Sequence, residues 1–305
     1  MPGATEADID QAIDNKVILR TWALRGTLHY VAPADIHWML ALIAPRIIAG
    51  NASRYKQLEL DEPTLRRSAD LIANAVHIRG QQTRGELFGM LRKAGISTAG
   101  QRGVYMLQRT ALERLVFQGH MRGGATTFLA LPAGKTRPKD EALAELARRY
   151  FTSHGPATLA DYTQWSGLTV TDARAGLEAC NTQLLAEQVD GAAYFFSSQA
   201  ALKPEHTVYL LPGFDEFVLA YRDRSALVAA EFADAVHPGG SGNFAATIIS
   251  AGRVVGTWRR TIKKKVVEIS TVAFTRLTRA QRDGLQAAAQ RYAVFLGLPL
   301  VLVTG

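Results

Sequence analysis

LVFQGHMRGGATTFLAL, residues 115–131, reads as two short strands around a glycine-rich turn. What precedes it decides the fold. Pro63–Ile78 carries Leu65, Ala69, Ile72 and Val76 on one helical face. Thr83–Ala94 predicts a second helix, with Thr83 as N-cap and Glu86 three residues on, and Gly100–Phe117 a third, longer one. Three helices followed by a two-stranded hairpin is the winged-helix arrangement, a relative of helix-turn-helix. In it the third helix is offered to a DNA groove and the hairpin is the wing.

The same order recurs downstream. DEALAELARRYFTSHG (140–155) predicts a helix ending in glycine, ATLADYTQWSG (157–167) a short second one and VTDARAGLEAC (170–180) a third. LLAEQVDGAAYFFSS (184–198) then predicts a hairpin turned by Asp-Gly, the strongest short hairpin signal. Upstream, Thr5–Asp8 opens a short capped helix to about Asp14. Val17–Trp22 and Thr27–Val31 predict a hairpin around an Ala-Leu-Arg-Gly turn, and a helix starts near Pro33 and runs to about Ile48. A helix plus hairpin at 5–31 has the form of the last helix and wing of a further unit. The polar stretch 51–62 predicts a connection.

From about residue 207 the pattern changes. TVYLLPGFDEF (207–217) is a strand entering a loop, residues 244–274 read as three successive strands, and Arg276–Leu296 is a closing amphipathic helix. The expected class is therefore α+β: tandem winged-helix units with a small C-terminal β-barrel-like module. The expected division is 1–62 (partial first unit and connecting helix), 63–133 (second unit), 134–204 (third unit) and 205–305 (β-rich module).

The 305 residues are 48% hydrophobic and 20% charged, with mean hydropathy −0.01. No apolar run reaches the ~18–20 residues of a membrane span. The polar start lacks the basic flank and apolar core of a signal peptide. One cysteine, Cys180, excludes an intrachain disulfide and a cysteine-based zinc site. A cytoplasmic protein without metal or cofactor is expected, since there is no phosphate-loop, paired-histidine or Gly-x-Ser-x-Gly motif.

The net charge of +8 is segregated. Residues 101–139 hold seven positive side chains against Glu113 alone, and 140–190 hold eight acids against Arg148, Arg149 and Arg174. Residues 239–267 hold six positive side chains and no acid. A surface with one nucleic-acid-facing side produces such asymmetry.

Candidate DNA contacts follow. Gln101, Arg102 and Arg109 lie on the third helix of the second unit, and His120 and Arg122 at its wing tip. Arg259, Arg260, Lys263, Lys264 and Lys265 form a basic strand and turn beside Trp258. That stretch suits phosphate contacts, or serves as a solubilising loop. Arg25 and His29 fall on alternate strand positions and could hold a phosphate and a base edge; alternatively, Arg25 sits in the turn and His29 packs on the next helix. Phe214-Asp215-Glu216 with Tyr221–Ser225 is the densest polar group. Asp215 or Glu216 could activate water with Arg222 and Arg224 nearby, or the group is a salt-bridged structural corner.

RTWALRGTLHYVAPADIHWMLALIAPR (20–46), LLPGFDEFVLAYRDRS (210–225) and GRVVGTWRR (252–260) together resemble the winged-helix DNA glycosylase family of the AlkZ type. The resemblance runs over almost the whole chain. It implies tandem winged-helix units with a small C-terminal barrel, arranged as a C around DNA. It also implies hydrolysis of the N-glycosidic bond of bulky N-alkylated purines and unhooking of interstrand crosslinks, without metal or cofactor. By this resemblance Arg25, His29, Asp215, Arg222 and Arg224 line the concave face, with Asp215 and Trp258 structural or site-lining. The family's catalytic Gln-x-Gln or Gln-x-Asp lies upstream of the Trp-x-x-Arg-Gly-Thr-Leu-His strand. Here the residues before Arg20 hold one glutamine, Gln11, and no catalytic residue carries over. The expectation is a DNA binder that hydrolyses little or nothing, shortened at its start or with a start codon assigned too late. The expected partner is double-stranded DNA, alkylated or not, bound by a monomer with no membrane. The alternatives are a sequence-specific winged-helix transcriptional regulator and a protein–protein scaffold.

Overall fold

The computed structural model describes residues 3–198, 207–240 and 242–305. In chain order the regular elements are α1 (Glu6–Asp14), β1 (Leu19–Trp22), β2 (Leu28–Val31), α2 (Ile36–Gly50), α3 (Ala52–Gln57), α4 (Glu62–Arg79), β3 (Gln82–Thr83), α5 (Arg84–Lys93), α6 (Arg102–Leu112), β4 (Val116–Arg122), β5 (Ala125–Ala130), α7 (Lys139–His154), α8 (Leu159–Ser166) and α9 (Val170–Cys180). They continue with β6 (Leu185–Val189), β7 (Ala192–Phe196), β8 (Val208–Leu211), α10 (Glu216–Leu219), α11 (Ala233–Val236), β9 (Thr247–Ser250), β10 (Arg253–Ile262), β11 (Val267–Ala273), α12 (Arg279–Leu296) and β12 (Leu300–Thr304). The class is α+β. The chain divides into a helical unit (residues 7–149 and 166–183) and a sheet unit (residues 3–6, 150–165 and 184–305). The boundary expected at 204/205 lies outside the described residues.

In the helical unit the Thr83/Glu86 capping signal acts as read, and Asp61 adds a cap that the sequence reading does not name. The Asp61 side chain accepts from the Thr64 amide at 2.9 Å and opens α4. At α5 the box closes both ways: the Thr83 amide donates to Glu86 Oε2 at 2.6 Å and the Glu86 amide to Thr83 Oγ1 at 3.2 Å. The predicted stripe of α4 (Leu65, Ala69, Ile72, Val76) is buried, and Leu65, Ile72 and Val76 share one core with Leu87, Leu91, Met106, Leu107 and Phe128. Truncating a ring such as Phe128 in this core costs about 3–5 kcal/mol.

Two expectations change here. The third helix, α6, ends at Leu112 rather than Phe117, because the chain breaks at Arg114 (φ 66) and β4 begins at Val116. The stretch 51–62 is not only a connection, since α3 lies in it. Strands β3, β4 and β5 are joined by the N-terminal hairpin in one five-stranded sheet of order β2-β1-β4-β5-β3, with Arg20 opposite Gln118.

In the sheet unit a second five-stranded sheet has the order β12-β11-β10-β9-β8. Its members pair antiparallel except β11 with β12, which run parallel. Strands β8 and β12 are its two edges, so among the described residues the barrel-like module expected from the sequence is an open sheet without barrel closure. Helix α12, opened by a Thr278/Gln281 capping box, packs Leu285, Ala289 and Ala293 on one face with Trp258, Ile248 and Ile269. Val218, Val228 and Val236 cover Ile249 and Val254 in a second core. Hairpin β6–β7 forms a separate two-stranded sheet whose turn, Asp190-Gly191, has both φ values positive (49° and 79°), as a two-residue hairpin turn requires.

Candidate nucleic-acid interface

The basic residues of α6 serve the fold. Arg109 is 9% exposed, and its guanidinium donates to Glu113 Oε1 at 2.6 Å and Glu62 Oε1 at 2.8 Å. Burial works against its charge, but these two carboxylates outweigh it and hold its pKa above the usual arginine value. A helix face turned inward cannot contact phosphate, so Arg109 leaves the candidate set. Arg102 donates to the Leu58 carbonyl, to the Glu59 carbonyl at 3.0 Å and to the Ser97 carbonyl at 3.1 Å, and thereby ties the end of α3 to the turn before α6. Gln101 is exposed and accepts from Arg54 at 2.5 Å.

The wing tip is more open. Arg122 pairs with Glu86 at 2.6 Å across a half-exposed surface. The Thr83 backbone amide, then the Thr83 side chain and Arg122, hold the Glu86 carboxyl below the usual range. His120 Nδ1 meets Asp14 Oδ1 at 2.5 Å, and Gln81 donates to Thr127 Oγ1 at 2.9 Å. Arg25 and His29 do not share a strand. Arg25 sits in the turn with φ 58°, packed on Gly167, where a Cβ would lie 3.3 Å from Arg25 Cγ. His29 lies on β2 with Nδ1 2.9 Å from the Thr27 carbonyl.

In the sheet unit the 214–225 group is tied in by hydrogen bonds and ring contacts. Asp215 caps α10 by accepting from the Phe217 amide at 2.9 Å, and burial pushes its carboxyl above the usual range. Glu216 accepts from the Trp165 indole at 2.6 Å. Arg224 donates to the Val218 carbonyl at 2.8 Å, and its guanidinium lies 5.0 Å from the centre of the Phe244 ring; burial lowers its pKa. Arg222 is exposed, and its backbone amide donates to Asp161 Oδ1 at 2.7 Å. Its side chain borders a cavity of about 520 Å³ with Tyr194 and Tyr221.

Trp258 is core: 6% exposed, donating to the Leu211 carbonyl at 2.8 Å and edge-on to Tyr292. After it the strand turns outward. Arg259 and Arg260 are exposed, Arg260 with its guanidinium 5.6 Å from the Tyr292 ring centre. Lys263 pairs with Glu268 at 2.6 Å, while Lys264 and Lys265 stand exposed at the turn without an ion pair among the described residues. Arg259, Lys264, Lys265 and Arg222 are thus exposed cations of this unit without an ion pair among the described residues. Asp14, Gln81, Asp161 and Trp165 were not singled out beforehand. Each meets its partner from far along the chain, and short-range patterning carries no signal of that.

The family model of AlkZ-like DNA glycosylases matches residues 1–295. The chain belongs to that family. An interstrand DNA cross-link repair glycosylase of Streptomyces sahachiroi is 26% identical over 289 residues, spanning 85% of this chain and 75% of the relative. The solved structure of the S. sahachiroi DNA glycosylase AlkZ superposes with a TM-score of 0.74 at 23% identity, covering 97% of this chain and 84% of that one. Family and fold together favour a DNA-repair, glycosylase-like role over a transcriptional regulator. Among the described residues no helix is long and apolar enough to cross a membrane.

Proposed function

We propose that this AlkZ-like chain binds duplex DNA carrying bulky N-alkylated purines or interstrand crosslinks. The observation that carries the reading is the family match over residues 1–295, and the acid-free cationic stretch 253–265 supplies the electrostatics. The order α4-β3-α5-α6-β4-β5, with β3 pairing back on β5, supports a winged helix over 63–133. The helices α7–α9 with hairpin β6–β7 support a second over 134–204, followed by the β-rich module of 205–305. Phosphate contacts fall to Arg259, Arg260, Lys264, Lys265, Arg222 and Arg122, with half-buried His29 and exposed Gln101 as polar contacts. Arg102, Arg109 and Arg224 hold the fold.

Base release by residues 1–305 is expected to be slow. Hydrolysis requires polar groups that orient a water toward the sugar carbon, and Gln11 is the one glutamine ahead of the β1–β2 hairpin. The test is one preparation and two readings on duplex containing a 7-alkylguanine: binding by fluorescence anisotropy, and release of free base by chromatography. Tight, salt-sensitive binding with release far slower than that of a family enzyme bearing the glutamine motif is the expected pair of results. Absence of binding contradicts the functional reading, and rapid release contradicts the slow-hydrolysis part alone.

A further inference from the structure

The loop after β8 holds an aromatic ring in an unusual posture. Phe214 has φ 65°, a conformation that is a genuine outlier for a bulky side chain and costs of order 1–3 kcal/mol. Yet its ring is 54% exposed, so burial of the ring does not repay that cost. The surroundings enforce the posture. A Cβ on Gly213 would sit 2.7 Å from the Phe244 carbonyl, so that backbone is pressed close. The Leu211 carbonyl is held by Trp258, and Asp215 is fixed as the cap of α10. Phe244 is itself clamped, stacked on His237 at 4.2 Å on an almost parallel plane and contacted by Arg224. Phe214 meets Phe244 edge-on at 6.1 Å. A rigid frame thus presents an aromatic ring to solvent, immediately followed by a half-buried carboxylate that makes no ion pair among the described residues.

An exposed ring beside an uncompensated carboxylate suits a flat cation. The ring attracts positive charge through its quadrupole, and the carboxylate is left without a counter-ion until the ligand arrives. We propose that Phe214 and Asp215 form a contact site for a positively charged purine, the ring stacking on the heterocycle and the carboxylate balancing its charge. An N7-alkylated purine within DNA is such a cation, and an unmodified base is not. This deepens the proposed function and rests on it. Arg222 and the Arg259–Lys265 stretch belong to the same unit and would supply the attraction for the surrounding phosphates.

The test compares two otherwise identical duplexes, one with a single 2′-fluoro-7-methylguanosine, which is cationic and resists depurination, and one with neutral 7-deazaguanine. Affinities are measured by anisotropy at fixed salt. The wild type should prefer the cationic duplex by about 2- to 30-fold, the range expected for a cation over an aromatic face. D215N keeps a good helix cap and F214G relieves the positive φ, so both should melt no lower than the wild type. Both should bind unmodified duplex as the wild type does and lose the preference, whereas F214Y should keep it. Equal affinities for the two duplexes in the wild type, or a preference that survives in F214G and D215N, overturns this site while leaving duplex binding intact. Failure of the wild type to bind either duplex overturns the site and the proposed function together.

Discussion

Two sets of basic residues in this chain carry the same charge and meet opposite fates. Those of α6, Arg102 and Arg109, are drawn inward: one ties three backbone carbonyls, the other is locked between Glu62 and Glu113. Those of the β10–β11 turn stay in water, where Lys264 and Lys265 make no ion pair among the described residues. The difference lies in their neighbours. Arg109 has an acid four residues on, at helical spacing, whereas 239–267 contains no acid at all. A positive residue with a carboxylate within reach tends to be used by the fold, and one without remains available to a polyanion.

The largest effect that tests this contrast is on stability. Arg109→Met strands Glu62 and Glu113 beside a lost buried cation and should cost about 2–3 kcal/mol in urea denaturation, with the folded protein binding duplex at wild-type affinity. Weakened binding at unchanged stability would return Arg109 to the interface. Arg102→Met should follow with a loss of about 1–2 kcal/mol, again without a change in the salt dependence of binding. Glu86→Gln converts one kind of cation into the other. Glutamine still closes the capping box, so the melting temperature should barely move, and Arg122 is released from its pair. Duplex affinity should then rise, with the salt slope steeper by up to about 0.9; a fall in affinity would mean that the Glu86 pair itself presents the wing.

The smallest effect is a pH dependence. Burial holds the folded Asp215 carboxyl above its unfolded value. The folded state therefore favours the protonated form, and that contribution to stability is complete below the unfolded pKa and is lost as pH rises through the folded one. Asp215→Asn should flatten the melting profile across the mildly acidic range and equal or exceed the wild type at neutral pH. A variant less stable than the wild type at neutral pH would contradict this.

Much of the architecture could be read locally. Thr83/Glu86, Asp61 and the Asp190-Gly191 turn each act through groups two or three residues apart, and the spacing is visible on the page. Three successive strands lie at 247–273, within the stretch read as such, with β11 alternating buried and half-buried positions over Val267–Thr271. What escaped depends on distant partners. Strand β12 is five residues that become a strand by lying parallel to β11, some thirty residues earlier, at the edge of an open sheet. The site divides in the same way. Lys264 and Lys265 were legible because their stretch holds no acid, whereas the burial of Arg109 and the pairing of His120 with Asp14, 106 residues away, appear only in three dimensions.

The most direct test is the salt dependence of duplex binding by the wild type and by the triple variant Arg259→Ala, Lys264→Ala, Lys265→Ala. Each phosphate contact removed should lower the slope of log affinity against log salt by about 0.9, so the variant should lose up to about 2.7 from that slope and more than tenfold in affinity at 0.1 M salt, with its melting temperature unchanged. A variant with the wild-type slope and affinity would show that these free cations do not face DNA, and the account would fail.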